Sequence, residues 1–140
     1  MNWTEYLMGF AKQAARKSKD PTQVGAVLVR DRFVLCAGFN GPPRGVLDLP
    51  ERFVRPAKYL FATHAEQNLI ATAAREGIKV EGCDVVVTHA PCATCARLLI
   101  QAGVRSVFYG TGKTSMPVDE FMAAEIMFRE ADVVMEQIHD

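Results

Sequence analysis

A chain of 140 residues, 49% of them hydrophobic, is long enough for one domain with a real core, and no apolar run nears the roughly 18 residues that cross a membrane. Its 16 basic and 16 acidic side chains balance to a net charge of zero. The sequence shows no basic stripe of the kind that grips polynucleotide phosphates, which favours a small-molecule substrate. The opening Met1-Asn2-Trp3-Thr4-Glu5 lacks the basic-then-apolar pattern of a secretory leader, so the cytoplasm is the expected location.

Residues 2–17 read as an amphipathic helix with Trp3, Tyr6, Leu7, Phe10 and Ala14 on one face and Lys12, Arg16 and Lys17 elsewhere. Asn2 followed by Glu5 resembles a capping box, and Asp20-Pro21 breaks the pattern. Val24–Val29 and Phe33–Phe39 are apolar runs joined by Arg30-Asp31-Arg32, which predicts a hairpin whose first strand is covered on both faces. Asn40-Gly41-Pro42-Pro43-Arg44-Gly45 is rich in turn formers. Residues 46–62 look irregular, with Arg52, Arg55 and Lys58 set against Asp48 and Glu51. A solvated loop is the plain reading of that segment, and a lid offering cations to a phosphate is the sharper one.

The pattern then predicts a helix over about 64–76 closed by Gly77, a strand at Asp84–Thr88, and a helix from Cys92 to about Ala102 closed by Gly103. Val104–Tyr109 reads as a strand. Pro117 starts a last helix with Phe121, Ala124 and Phe128 on one side, and Val133–Met135 is the final strand. The order α-β-β-α-β-α-β-α-β implies a single α/β domain over 1–140, a mixed sheet with helices on both faces. Cys36 and Cys83 lie in apolar strand contexts and read as core thiols.

Two short pieces carry chemistry. His64-Ala65-Glu66 and Pro91-Cys92-Ala93-Thr94-Cys95 together spell H-x-E…P-C-x-x-C. Thiolate and imidazole are the usual zinc ligands, and two cysteines spaced by two residues can grip one tetrahedral ion. Cys92, Cys95 and His64 make three ligands, which leaves a fourth position for water. Each piece opens a helix, where the macrodipole favours the thiolate. His64 and Glu66 lie about 200° apart on a helix, so they converge only at its end. Thr63 is the expected N-cap there.

Two rival readings stand beside this one. Thr63-x-x-Glu66 also fits a capping box in which the carboxylate merely binds a backbone amide. His89-x-x-Cys92-x-x-Cys95 with His64 could close a two-His, two-Cys structural site, making the chain a zinc-stabilised binding module. The stretch Gly110-Thr111-Gly112-Lys113-Thr114-Ser115 falls short of a P-loop, because Val107 stands where the first glycine belongs. Its polar residues could still touch one phosphate.

With these residues in place the chain resembles, over nearly its whole length, the deoxycytidylate (dCMP) deaminases of the zinc-dependent cytidine deaminase superfamily. The landmarks are Ser18-Lys19-Asp20-Pro21, Val24-Gly25-Ala26, Gly38-Phe39-Asn40-Gly41-Pro42-Pro43-Arg44-Gly45, His64-Ala65-Glu66-Gln67-Asn68, Pro91-Cys92-Ala93-Thr94-Cys95-Ala96 and Gln101-Ala102-Gly103-Val104. The resemblance implies a three-layer αβα sandwich around a five-stranded mixed sheet, and hydrolysis of dCMP to dUMP and ammonia, supplying dUMP for thymidylate synthesis. It implies one catalytic Zn2+ per chain on His64, Cys92 and Cys95, with Glu66 as the proton carrier. Asn40 would hold the sugar hydroxyl, and the backbone of Ala65 and the carbonyl region at Ala90-Pro91 would orient the base. Ser18, Lys19, Tyr109 and Lys113 are the candidates for the 5′-phosphate.

The resemblance further implies a homo-oligomer, dimer or hexamer, acting on a small deoxynucleotide and on neither nucleic acid nor membrane. Regulation by dCTP and dTTP, with Mg2+ accompanying the triphosphate, also belongs to that expectation. Phe39 replaces a usual tyrosine and Leu69 a usual alanine, and residues 46–62 hold no cysteine or histidine for a second zinc. Deamination of dCTP, a 5-modified dCMP or deoxycytidine, editing of a polynucleotide, and a non-catalytic zinc module all stay open at this level.

Overall fold

The computed structural model describes residues 1–139. It contains the five expected strands: β1 (Gly25–Arg30), β2 (Phe33–Phe39), β3 (Asp84–His89), β4 (Ser106–Gly112) and β5 (Val134–Gln137). They pair in the order β2-β1-β3-β4-β5, with β1 antiparallel to both its neighbours and β3, β4 and β5 mutually parallel. The topology follows from the connections. Asp31 and Arg32, both at positive φ (49° and 72°), form a tight turn whose twist matches the flanking strands, so β1 and β2 make a hairpin. Parallel neighbours need crossovers, supplied by α4 (Ala93–Gln101) between β3 and β4 and by α5 (Val118–Glu130) between β4 and β5.

The remaining helices are α1 (Trp3–Ala15), a four-residue α2 (Lys58–Phe61) and α3 (Ala65–Glu76). A 3-10 turn at Pro50–Phe53 and α2 give structure to a segment that reads as irregular in sequence. Both are too short to show a periodic pattern.

Strand alternation divides the core in two. Ala26, Leu28, Val85, Val87 and Val107 face Leu69, Ala73, Leu99, Ala124 and Phe128 of α3, α4 and α5. Val27, Val29 and Val86 face Leu7, Met8 and Ala11 of α1. The expected double coverage of β1 therefore holds, since its first five residues are all buried.

The buried face of α1 differs from expectation. Leu7, Met8, Ala11 and Ala15 are inside, whereas Trp3, Tyr6 and Phe10 are 42–48% exposed and stack edge-to-face along the outer surface. Close approach explains the rotation. A Cβ on Gly25 would lie 2.1 Å from the Ala11 carbonyl oxygen, so α1 rests directly on the β1 backbone and only small residues fit between them. The Arg32 guanidinium covers the outward Trp3 ring at 4.6 Å. At the helix start Asn2 Oδ1 accepts the Glu5 amide at 2.8 Å, as the capping pattern predicts.

A second close approach positions the site. A Cβ on Gly38 would lie 2.8 Å from both the Ala65 carbonyl oxygen and the Leu69 nitrogen, so the start of α3 is seated on β2. Asn68 of α3 donates to the Phe39 carbonyl at 3.0 Å and fixes that seat at the end of the strand.

Candidate metal centre and active site

His64 is the N-cap of α3 and Cys92 the N-cap of α4, both in extended conformation, with Cys95 one turn into α4. The cap is thus His64 and not Thr63. Thr63 instead pairs its backbone with Gly41, its carbonyl accepting at 3.0 Å and its amide donating at 2.7 Å. Three residues after the cap, Gln67 accepts the His64 amide through Oε1 at 2.8 Å. Gln67 therefore fills the capping-box place that Thr63-x-x-Glu66 offered to Glu66. Glu66 is left buried, 5% exposed, with its carboxyl free of that duty.

His64 Nδ1 lies 3.3 Å from Cys95 Sγ and 3.5 Å from Cys92 Sγ, and the three donor atoms fall within 4.8 Å of one another. A tetrahedral zinc, bonded at about 2.3 Å to sulfur and 2.0–2.1 Å to nitrogen, separates its nitrogen and sulfur ligands by about 3.5 Å. The donor set fits the ion in chemistry and in spacing. Among the described residues this is the one group of three or more potential metal ligands. His89 stands outside it, with Nδ1 2.7 Å from Thr88 Oγ1, so no closed two-His, two-Cys set is assembled. Cys83 is buried and Cys36 half-buried, and neither joins the cluster.

The site's electrostatics follow from this crowding. A hydrogen bond from the Cys95 thiol, helped by His64, draws Cys92 down to about 4. The same bond to Cys92, together with burial, pushes Cys95 up. His64 rises because it bonds to Cys92, against the opposing effect of burial. Burial pushes Glu66 up to about 7. Burial also lowers His89. The Ala93 amide at the start of α4 donates to Glu120 of α5 at 3.1 Å, which locks the turn that carries both cysteines.

One cavity adjoins this cluster. His64, Ala65, Glu66, His89, Ala90 and Cys92 line its inner end, and Asp20, Thr22, Asn40, Arg55, Lys58, Tyr59, Thr114 and Ser115 continue its wall. Asn40 is held by two backbone groups: Nδ2 donates to the Thr22 carbonyl at 2.8 Å and Oδ1 accepts the Val24 amide at 2.9 Å. Pro91 is fully buried beside Ala90.

The four phosphate candidates are placed elsewhere, and none of them lines the cavity. Ser18 is buried, with its hydroxyl donating to the Asn40 carbonyl at 2.8 Å and accepting the Asp20 amide at 3.2 Å, so it braces the Asn40 loop. Lys19 pairs with Asp48 at 3.0 Å in solvent. Tyr109 packs against the helix-covered core. Lys113 is exposed beyond β4, which runs through Gly112 and makes Gly110 and Gly112 strand residues. A Cβ on Gly112 would lie 2.4–2.6 Å from atoms of the His89 ring, so that glycine makes room for the histidine.

Arg55 and Lys58 of the lid reading do reach the cavity, and Arg52 does not. Arg52 lies over the Phe61 ring at 4.1 Å and donates to the Leu47 carbonyl at 3.0 Å. The sequence gives no sign that Lys58 would pair with Asp20, buried 38 residues earlier, at 3.3 Å.

An α/β sheet that brings a His-Cys-Cys cluster and a buried acid to two helix starts defines a zinc-dependent hydrolase class. Residues 1–111 match the family described as the cytidine and deoxycytidylate deaminase zinc-binding region, and the chain belongs to that family. It is 43% identical to an uncharacterised deaminase of Aliivibrio fischeri over 107 residues, covering 76% of this chain and 71% of that one. It is 38% identical to the human deoxycytidylate deaminase over 141 aligned positions, covering 95% of this chain and 78% of the human one. The crystal structure of a dCMP deaminase from cyanophage S-TIM5 in complex with dCMP and dUMP superposes with a TM-score of 0.79 at 27% identity, covering 96% and 95% of the two chains.

Proposed function

We propose that this chain hydrolyses dCMP to dUMP and ammonia, with one Zn2+ held by His64, Cys92 and Cys95. The observation that carries the reading is Glu66: a buried carboxyl beside three metal donors, released from capping by Gln67. Bound zinc would acidify a water molecule toward neutrality. Glu66, held at about 7, can both take and return a proton at physiological pH. In this reading Glu66 accepts a proton from the attacking water and delivers it to N3 of the pyrimidine, then takes the second proton from the new C4 hydroxyl and passes it to the departing amine. A C–O bond forms at C4, the C4–N4 bond breaks, and one water is consumed for each ammonia released.

The other residues bind and orient. Asn40, clamped by Thr22 and Val24, keeps one N–H and one lone pair for the sugar hydroxyl. The backbone of Ala65 and the Ala90-Pro91 carbonyl region set the base at the inner end. The reading extends to a cytoplasmic homo-oligomer, dimer or hexamer, with Mg2+ accompanying any regulatory triphosphate. The exposed stripe of Val118, Met122 and Ile126 along α5 supports association. Among the described residues no helix is long and apolar enough to cross a membrane.

The test is ammonia release from cytidine, deoxycytidine, CMP, dCMP and dCTP by zinc-loaded protein. The expected result is dUMP from dCMP at the highest kcat/KM. Equal or faster turnover of deoxycytidine would make the chain a nucleoside deaminase, and silence on every substrate by the zinc-loaded protein would make it a binding module.

A further inference from the structure

The structure assigns recognition of the substrate's 5′-phosphate to Arg55 and the Thr114 hydroxyl, which both line the cavity, and this assignment rests on the dCMP reading above. Thr114 Oγ1 is buried and has no hydrogen-bond partner, the one such side-chain atom among the described residues. It belongs to the cavity wall. A buried hydroxyl left unbonded is costly, and an acceptor oxygen of a ligand entering the cavity would relieve that cost.

Arg55 supplies the charge. Of the two cations in the wall, Lys58 already faces the buried carboxylate of Asp20 at 3.3 Å. Arg55 faces no carboxylate among the described residues. Its Nη2 donates to the Ser115 hydroxyl, and its guanidinium sits 5.6 Å from the centre of the Tyr59 ring. That leaves most of its five N–H donors for a planar, multi-oxygen partner.

The cavity wall thus carries different chemistry in its different segments. The buried carboxyl of Glu66 lines the cavity beside the metal donors, and a guanidinium that faces no carboxylate among the described residues lines it with the Thr114 and Ser115 hydroxyls. With the base at the metal donors and Glu66, the phosphate of the same nucleotide falls to the guanidinium and hydroxyls. The contact of Arg55 with Ser115 also joins the segment before α3 to the segment after β4. A phosphate between Arg55 and Thr114 would bridge the same two segments.

The test compares wild type, R55A and T114V, each loaded with zinc. One measurement is the ratio of kcat/KM for dCMP to that for deoxycytidine. The other is the ratio of affinities for dUMP and deoxyuridine, read by calorimetry without turnover. Loss of a charge-assisted phosphate contact should lower both ratios about tenfold or more in R55A, and loss of the hydroxyl about threefold in T114V. Ratios for R55A within about twofold of wild type would overturn the assignment, whether or not both members of each pair weaken together. Should wild type deaminate neither compound, the dCMP reading falls, and the dUMP-to-deoxyuridine ratio still decides the case of Arg55.

Discussion

The two ends of the cavity are built by different means. At the inner end the three metal donors and the buried acid ride on helix starts: His64 and Glu66 on α3, Cys92 and Cys95 on α4. Those starts are fixed by the Gly38 contact, the Asn68 bond to Phe39 and the Glu120 bond to Ala93. The outer end is assembled from loops and one four-residue helix, with Asp20, Arg55, Lys58, Thr114 and Ser115 drawn from three separate segments. Donor atoms that must be placed to a few tenths of an ångström are best held on rigid elements, and loops lend themselves to the substrate selection proposed for the outer end.

Substitutions can break that division at either end. Cys92→Ser or Cys95→Ser should have the largest effect, because two protein donors cannot retain the ion that three hold. Zinc content after dialysis should fall from one per chain to near zero, and full occupancy would remove these cysteines from the ligand set. Gly38→Ala should come next. The new methyl would meet the α3 backbone at 2.8 Å, and overpacking of this kind costs about 1–3 kcal/mol. Because α3 carries His64 and Glu66, thermal stability and zinc affinity should fall together. A loss of stability with unchanged zinc affinity would show that the inner end does not depend on that seat.

The smallest effect is expected at Trp3, which is 48% exposed and touches Tyr6 edge-on at 5.4 Å. Trp3→Ala should cost about 0.5–1 kcal/mol in denaturant unfolding and leave turnover unchanged. A cost of about 3–5 kcal/mol would put Trp3 in the core, where the sequence pattern alone places it.

That contrast between ends also marks what a sequence can disclose. Helices and strands long enough to show a period are legible, and so is a metal cluster whose ligands are locked at fixed spacings. The hairpin is readable from two apolar runs around Arg30-Asp31-Arg32. The wrong face of α1 comes from a tertiary cause, since the need for Ala11 and Ala15 opposite Gly25 exists only once helix and strand meet. The cap of α3 is hidden in the sequence because Thr63 is the better capping residue in isolation, while His64 is held there by Gln67. The outer cavity is legible only in part: the cations of 46–62 and the polar stretch 110–115 suggest a phosphate contact, but their pairings do not show in the sequence. Arg55 and Ser115 lie 60 residues apart, and Lys58 and Asp20 lie 38 apart. Ser18 and Lys19 look like phosphate ligands by type, and the structure places them on the Asn40 loop and beside Asp48, outside the cavity wall.

The most direct measurement is the rate of ammonia release from dCMP by Glu66→Gln protein shown to carry its zinc. Removing the proton carrier while sparing the ligands should cut turnover about 10²-fold or more. Wild-type turnover in that variant, with zinc in place, would contradict the account.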